Sequence, residues 1–201
     1  MIPILYDKTG NTKITNLTDC IQCIVTEERN GMFEAELVYS VHSSNSDKLI
    51  RGNIIVADAN DTLKGQKFRI YKISKPINGR IKILARHISF DMARDVVTGL
   101  VIDNQSCEYA LNKLFSSSQF SQHFTGHSDI VNSQSTVING TTHILKAIVG
   151  VEGSIIDTFG TSPEILRDNY DFYIYENRGH DNGVTIEYGK NLTGLNLDTD
   201  D

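Results

Sequence analysis

The 201-residue chain contains no tryptophan, three cysteines and three prolines. Three cysteines do not make a disulfide framework, so a reducing place of synthesis is expected. No apolar run approaches the ~20 residues with which a helix crosses a bilayer, so no membrane segment is expected. The opening Met1-Ile2-Pro3-Ile4-Leu5-Tyr6-Asp7 lacks the basic start and long apolar stretch of a signal peptide. With 15 glycines, 39% hydrophobic and 22% charged residues, the composition excludes collagen, low complexity and disorder. What is present suffices for one large domain or two small ones, since a chain this long buries roughly 70% of its unfolded surface.

The net charge of −6 hides an asymmetry. Residues 1–95 carry a net +3, residues 96–165 a net −4 and residues 166–201 a net −5. Between Lys64 and Arg94 lie nine basic residues and one acid, Asp91. On strands such a stripe reads as a solvated face, as a contact for an acidic partner, or as a nucleic-acid surface.

The first 95 residues carry strand patterning. Ile21, Cys23 and Val25 alternate with polar neighbours; Phe33, Ala35, Leu37 and Tyr39 do the same after Asn30-Gly31. Two period-2 runs around Asn-Gly predict a hairpin, because that turn needs residues that tolerate positive φ. A second copy runs from Lys67 to Lys75, turns at Asn78-Gly79 and returns from Arg80 to Phe90; Asn53 to Ala57 is a short apolar strand between the two. Closely spaced strands joined by tight turns favour an antiparallel barrel or rolled sheet.

From residue 96 the texture changes. Cys107, Ala110, Leu111, Leu114 and Phe115 fall on one helical face, with Ser106 as N-cap. A second helix is predicted from Thr141 to Gly150, and a third between Ser154 and Gly160. Strand texture returns at Tyr170 to Tyr175 and at Val184 to Tyr188. The pattern predicts a mainly β chain, α+β overall. A β-barrel domain (1–95 plus 166–201) is interrupted by a small α+β insertion (96–165), and the last strands complete the first domain.

Catalytic chemistry finds no constellation. Cys20 and Cys23 are three apart, and in a regular strand such residues face opposite sides, so their thiols are expected to diverge and to pack as small apolar groups. His123 and His127 lack the glutamate of a His-Glu-x-x-His site. His87 reads as a hydrogen-bonded sheet residue. Asp58-Ala59-Asn60-Asp61 lacks the glycine and closing glutamate of a calcium loop and reads as a turn. Asp168 and Asp171 would need a pocket and a perturbed pKa to act as acid and base. No catalytic residue, cofactor or metal is expected.

One set of motifs is more specific. Gly153-Ser154-Ile155-Ile156-Asp157-Thr158-Phe159-Gly160 precedes Arg167-Asp168-Asn169-Tyr170; then come Arg178-Gly179-His180-Asp181-Asn182-Gly183-Val184 and Tyr188-Gly189-Lys190-Asn191-Leu192-Thr193-Gly194-Leu195. In the first half, Thr26 to Ala35 and Ala85 to Asp91 belong to the same pattern. Together, in order and across nearly the whole chain, these resemble the N-terminal region of phage minor structural proteins of the prophage endopeptidase tail, or tail-associated lysin, family. Phe159 departs from the Trp of relatives, and Thr161-Ser162-Pro163 from their Gly-rich turn.

The resemblance implies a hub similar to that of contractile-phage baseplates: tail-tube-like β-barrel domains in a ring-shaped homotrimer that closes the tail tube. It implies a place in the virion tail tip after synthesis in the host bacterial cytoplasm. Distal tail and tape-measure-type proteins would be its partners, and phage DNA could touch the lumen in passing. The peptidoglycan-cleaving domain of longer homologues would lie downstream and is not expected here. The expected interface or lumen-facing residues are Asn30, Gly31, Lys67, Arg69, Lys72, Asn78, Gly79, Arg80 and Lys82, with the insertion outside the ring. Two other classes stay open: a cell-wall hydrolase in its own right, and a receptor- or carbohydrate-binding module using some of the eight tyrosines.

Overall fold

A computed structural model describes residues 1–160 and 162–179 together with Gly183, Thr185, Glu187 and Lys190. Seven antiparallel strands form the first sheet: β1 (Ile4–Tyr6), β2 (Lys13–Asn16), β3 (Cys20–Glu27), β4 (Phe33–Ser40), β5 (Ile54–Ala57), β6 (Gln66–Ile73) and β7 (Arg80–His87), in the order β2-β1-β5-β6-β7-β4-β3. The alternation in β4 is strict, with Phe33, Ala35, Leu37 and Tyr39 fully buried. They meet Leu5, Ile55, Phe68, Ile70 and Ile83 in one core, as a one-sided antiparallel sheet requires.

Among the described residues the sheet is open. Its two edges, β2 and β3, are consecutive in sequence, and Leu17 between them is buried in the same core. Among the described residues no ladder joins those edges, so the structure shows the expected antiparallel sheet without a closed barrel.

Both Asn-Gly hairpins form, with different turns. Asn78 (φ 50°) and Gly79 (φ 71°) both take left-handed backbone, and Ile77 and Arg80 exchange hydrogen bonds of 2.9 and 3.0 Å. That is the two-residue turn the dipeptide favours. In the first hairpin only Asn30 is left-handed (φ 55°), and the loop is longer, closed by the Glu28 N–H donating to the Met32 carbonyl at 2.7 Å.

One expectation fails at Cys20 and Cys23. The register shifts between Cys20 and Gln22, and this bulge adds a residue, reversing the facing of everything before it. Cys20 and Cys23 therefore both pack against the first core. They remain free thiols, and burial pushes that of Cys23 up to about 11.

The second core is built from β8 (Val96–Gln105), α1 (Cys107–Ser116), β9 (Thr125–Ser128), β10 (Gln134–His143), α2 (Ile144–Ile148), α3 (Ile155–Phe159), β11 (Glu164–Asp168) and β12 (Asp171–Tyr175). α1 buries the five expected residues, and Ser106 caps it by accepting from the Tyr109 N–H. α2 begins at Ile144 rather than Thr141, because Thr141, Thr142 and His143 are taken into the β8–β10 ladder. That two-stranded ladder was not legible in the sequence, where its strands mix Val, Leu and Ile with Gly, Thr and amides. Phe159 is buried in this core.

The strand at Tyr170 to Tyr175 also corrects an expectation. β12 pairs with β11 and, in parallel, with β9, not with the first sheet. The cause is its inner face: Phe172 and Ile174, with Ile165 of β11, fill the second core against α1. The strand expected from Val184 to Tyr188 lies outside the described residues. β9 approaches α1 so closely that Asn112 brackets Gly126, accepting from its N–H at 3.0 Å and donating to its carbonyl at 2.8 Å. A Cβ on Gly126 would run into Leu111.

The two cores are tied at a polar seam. The buried Gln66 donates to Asp168 at 2.7 Å and accepts from the Asn169 N–H at 3.0 Å. Asn169, left-handed at φ 53° in the β11–β12 turn, accepts from the Lys67 N–H at 2.9 Å. His87, stacked on Phe33 at 4.5 Å, completes the group. Its Nδ1 accepts from the Ser89 N–H, so Nε2 carries the proton shared with Gln66 Oε1 at 3.2 Å. Complete burial and the nearby Arg167 charge hold this imidazole well below its ordinary pKa. His87 is thus a sheet histidine, as read from the sequence.

Two outcomes follow from this packing. Gly126→Ala is expected to cost about 1–3 kcal/mol by overpacking, measured as a lower urea midpoint with unchanged m-value. Because the unfolded His87 takes up a proton near pH 6.5 and the folded one resists it, stability should be full above that pH and decline as pH falls below it. Melting His87→Gln beside the parent chain between pH 7.5 and 5 should show a shallower decline for the variant.

Candidate interface surfaces

The basic stripe lies on the outer face of β6 and β7, but β4 supplies carboxylates across the ladder. Register sets Glu34 opposite Arg86 and Glu36 opposite Leu84. Arg86 reaches Glu34 at 2.8 Å and lies over the Tyr71 ring, and Lys82 reaches Glu36 at 2.8 Å. Cross-strand pairs of this kind stabilise a sheet modestly. The local alternation of β4 already placed Glu34 and Glu36 on its polar face, but only the pairing order showed that this face adjoins β7.

Arg69 is committed inside the chain. Its guanidinium grips Asp91 through Nε and Nη2 at 2.7–3.0 Å, and Nη1 donates to the carbonyls of Lys8 and Gly52, each at 2.8 Å. It binds β6, the β1–β2 turn and the 3-10 stretch Ile88–Arg94 together. Lys67 lies over the Tyr170 ring at 4.6 Å. Lys64 pairs loosely with Asp61 at 3.7 Å. Among the described residues, the stripe's cations without a carboxylate or ring partner are Lys72, Lys75, Arg80 and Arg94.

Three of those four gather at the second hairpin. Lys72 ends the regular part of β6 after a register shift, Lys75 precedes Pro76, and Arg80 opens β7. Ile77, at the tip, is 71% exposed. Asn78 is also exposed, while Gly79 is tied back, its carbonyl accepting from the Val41 N–H at 3.0 Å. An exposed isoleucine ringed by unpaired cations is a contact surface of mixed chemistry.

The first hairpin differs. Asn30 donates to the Pro163 carbonyl at 2.8 Å and accepts from the Ile165 N–H at 2.7 Å; the Gly31 carbonyl accepts from Arg167 at 2.8 Å. Asn30 and Gly31 thus spend their polar groups on β11 of the same chain. Beside them, β3 is an eight-residue edge strand with Ile21 (50% exposed) and Ile24 (46% exposed) on its outer face. Long apolar edges are the ones that invite pairing.

Of the catalytic candidates, the structure brings His127 and Asp171 together and engages His123 and Asp168 in separate contacts. His123 packs against Phe124 and Tyr170, while His127 pairs with Asp171 at 3.0 Å and stacks on Tyr173. Asp168 accepts from Gln66. The Asp58–Asp61 segment is a turn in which Asn60 accepts from the Thr62 and Leu63 N–H groups. Among the described residues no three His, Cys, Asp or Glu side chains converge as metal ligands, and no helix is long and apolar enough to cross a membrane.

These features define a β-rich chain with two cores, an open sheet and exposed edges. No family model matches the sequence, and no curated protein matches it. Among solved structures, the fold is that of the prophage tail protein gp18 from Listeria monocytogenes EGD-e. The TM-score is 0.67 and the identity 17%, over 96% of this chain and 56% of that one. A tail protein from Neisseria meningitidis MC58 aligns at TM-score 0.46 and 10% identity, over 92% of this chain and 53% of the other. The chain therefore spans a little over half the length of each.

The two kinds of cation should separate by mutation. Arg69→Ala is expected to lose roughly 2–3 kcal/mol, because it strands Asp91 and two carbonyls. Lys72→Glu, Lys75→Glu and Arg80→Glu should each stay within about 0.5 kcal/mol of the parent. Urea denaturation of the four variants measures the difference.

Proposed function

We propose that this chain is a structural component of a phage or prophage tail, acting at the tail tip as a wall segment of a hub and performing no reaction itself. The observation that carries the reading is the fold shared with a prophage tail protein over 96% of the chain, in a sheet whose two edges have no ladder partner among the described residues. Closed rotational symmetry turns one pair of complementary surfaces into a ring. An edge strand such as β3 and an opposing β2 edge on a second copy are such a pair. A ring of three copies would close the sheet that is open in one.

In this reading the second hairpin, with Lys72, Lys75, Ile77, Asn78 and Arg80, meets an acidic neighbour or faces the lumen through which DNA passes. Residues 96–165, with their net charge of −4, lie outside the ring and meet distal tail and tape-measure-type proteins. Lys67, Arg69 and Lys82 support the sheet. Asn30 and Gly31 support the junction with β11.

Light scattering and sedimentation of the purified chain test the ring. A trimer is expected, and Ile24→Lys on the β3 edge should shift it to monomer while preserving the circular dichroism spectrum. A parent chain that stays monomeric at high micromolar concentration, or a trimer indifferent to Ile24→Lys, Ile21→Lys and charge reversal at the second hairpin, overturns the edge-paired ring.

A further inference from the structure

On the outer face of the β11-β12-β9 sheet three rings form a column. His127 stacks on Tyr173 (centroids 4.6 Å apart, planes 22° apart), and Tyr173 is parallel to Tyr175 (5.6 Å, 8°). β-Sheet register explains the column: Tyr173 lies opposite His127 in the parallel ladder, and Tyr175 follows two residues on, pointing the same way. Tyr175 is the end member, and it lines a cleft of about 370 Å³ shared with Leu63, Leu166, Asp129, Asn177 and Arg178.

A second cleft, of about 520 Å³, also has Asn177 in its wall, so this one side chain faces both. Its lining is rich in amides and hydroxyls: Asn132, Gln134, Ser162 and Thr158, with the carboxylates of Asp157 and Glu176. Each volume falls within the roughly 300–1,000 Å³ of small-ligand sites. Neither sequence pattern nor the proposed tail role calls for a stacked aromatic column ending at an amide-lined groove.

The chemistry of the groove narrows the occupant. A planar aromatic face takes the apolar C–H face of a pyranose ring, and amides supply both the donors and the acceptors that sugar hydroxyls need. Both cations in the lining are already committed: Arg29 to Glu164 at 2.7 Å, and Arg178 to Glu27 at 2.9 Å. Asp129, Asp157 and Glu176 remain, so the groove is unfavourable to phosphate- or carboxylate-bearing polymers, nucleic acid included. We propose that this composite groove is a binding site for a short neutral oligosaccharide, one sugar ring packed on Tyr175 and its neighbour hydrogen-bonded at Asn177. The site does not depend on the ring contacts proposed above, although Arg178 ties its lining to Glu27 at the end of β3.

The test is a titration of the full chain with cellotriose, maltotriose and triacetylchitotriose, read by saturation-transfer difference and chemical-shift NMR. Saturable binding of at least one is expected, with the largest shifts at Tyr175 and Asn177. Tyr175→Ala should weaken it tenfold or more, and Tyr109→Ala, an exposed ring on α1 outside the groove, should leave it unchanged. If Tyr175→Ala fails to fold, Asn177→Ala provides the same comparison. The proposal is overturned if none of the three sugars binds saturably, if binding survives the groove variants, or if a DNA oligonucleotide perturbs the same residues more strongly. A negative result leaves the oligomeric state of the chain, and so the tail reading, where it stood.

Discussion

Two hydrophobic cores can meet within one chain only if the polar groups trapped between them are satisfied, since an unpaired buried donor or acceptor costs the full desolvation of that group. Gln66 meets that condition here. Its amide donates to Asp168 and accepts from the Asn169 N–H and from His87, so one fully buried side chain joins β6, β7 and the β11–β12 turn. Asn30 makes the matching link from the first hairpin to β11. Arg167 adds a third, from β11 to Gly31, while lying over Phe90. Among the described residues Arg167 is the exception to full satisfaction: its Nη1 is buried without a partner there, and burial lowers the guanidinium pKa to about 10.

The seam sorts the surface into what is used within the chain and what is left over. The first hairpin and Arg69 are spent internally. The second hairpin, the β3 edge and the outer face of β12 are not. This division separates positions whose substitution would weaken the fold from positions whose substitution would alter a contact. It also accounts for the basic stripe, which is neutralised on its sheet face, where β4 carries Glu34 and Glu36 into the same plane as Lys82 and Arg86, and charged at its tip.

Legibility in the sequence followed the range of the signal. Asn78-Gly79, the alternation of Phe33 to Tyr39 and the helical face of Cys107 to Phe115 depend on residues within a few positions of one another, and each formed where expected. The β8–β10 ladder escaped because its exposed face mixes Val96, Val101 and Val137 with polar residues, which blurs the alternation, and because its strands are separated by α1 and β9. β1 and β2 are three and four residues long, too short for period counting. Cys20 and Cys23 misled because a bulge is set by the partner strand, not by the spacing of the thiols. Gln66, Asn169 and Asn112 gave no signal at all, since an amide in sequence shows nothing of whether it is buried.

Strand content, hairpin positions, the first helix and the uneven charge were determined by the sequence alone, because turn chemistry and hydrophobic periodicity act locally and survive without a partner. Only the tertiary structure decided that β12 joins β9 rather than the first sheet, that Arg69 is a clamp and that Tyr175 ends an aromatic column at a groove. Each of those depends on groups far apart in sequence, such as Gln66 and Asn169, or Asn30 and Ile165. Their meeting is selected by the burial of Phe172 and Ile174 against α1, a preference no local window contains.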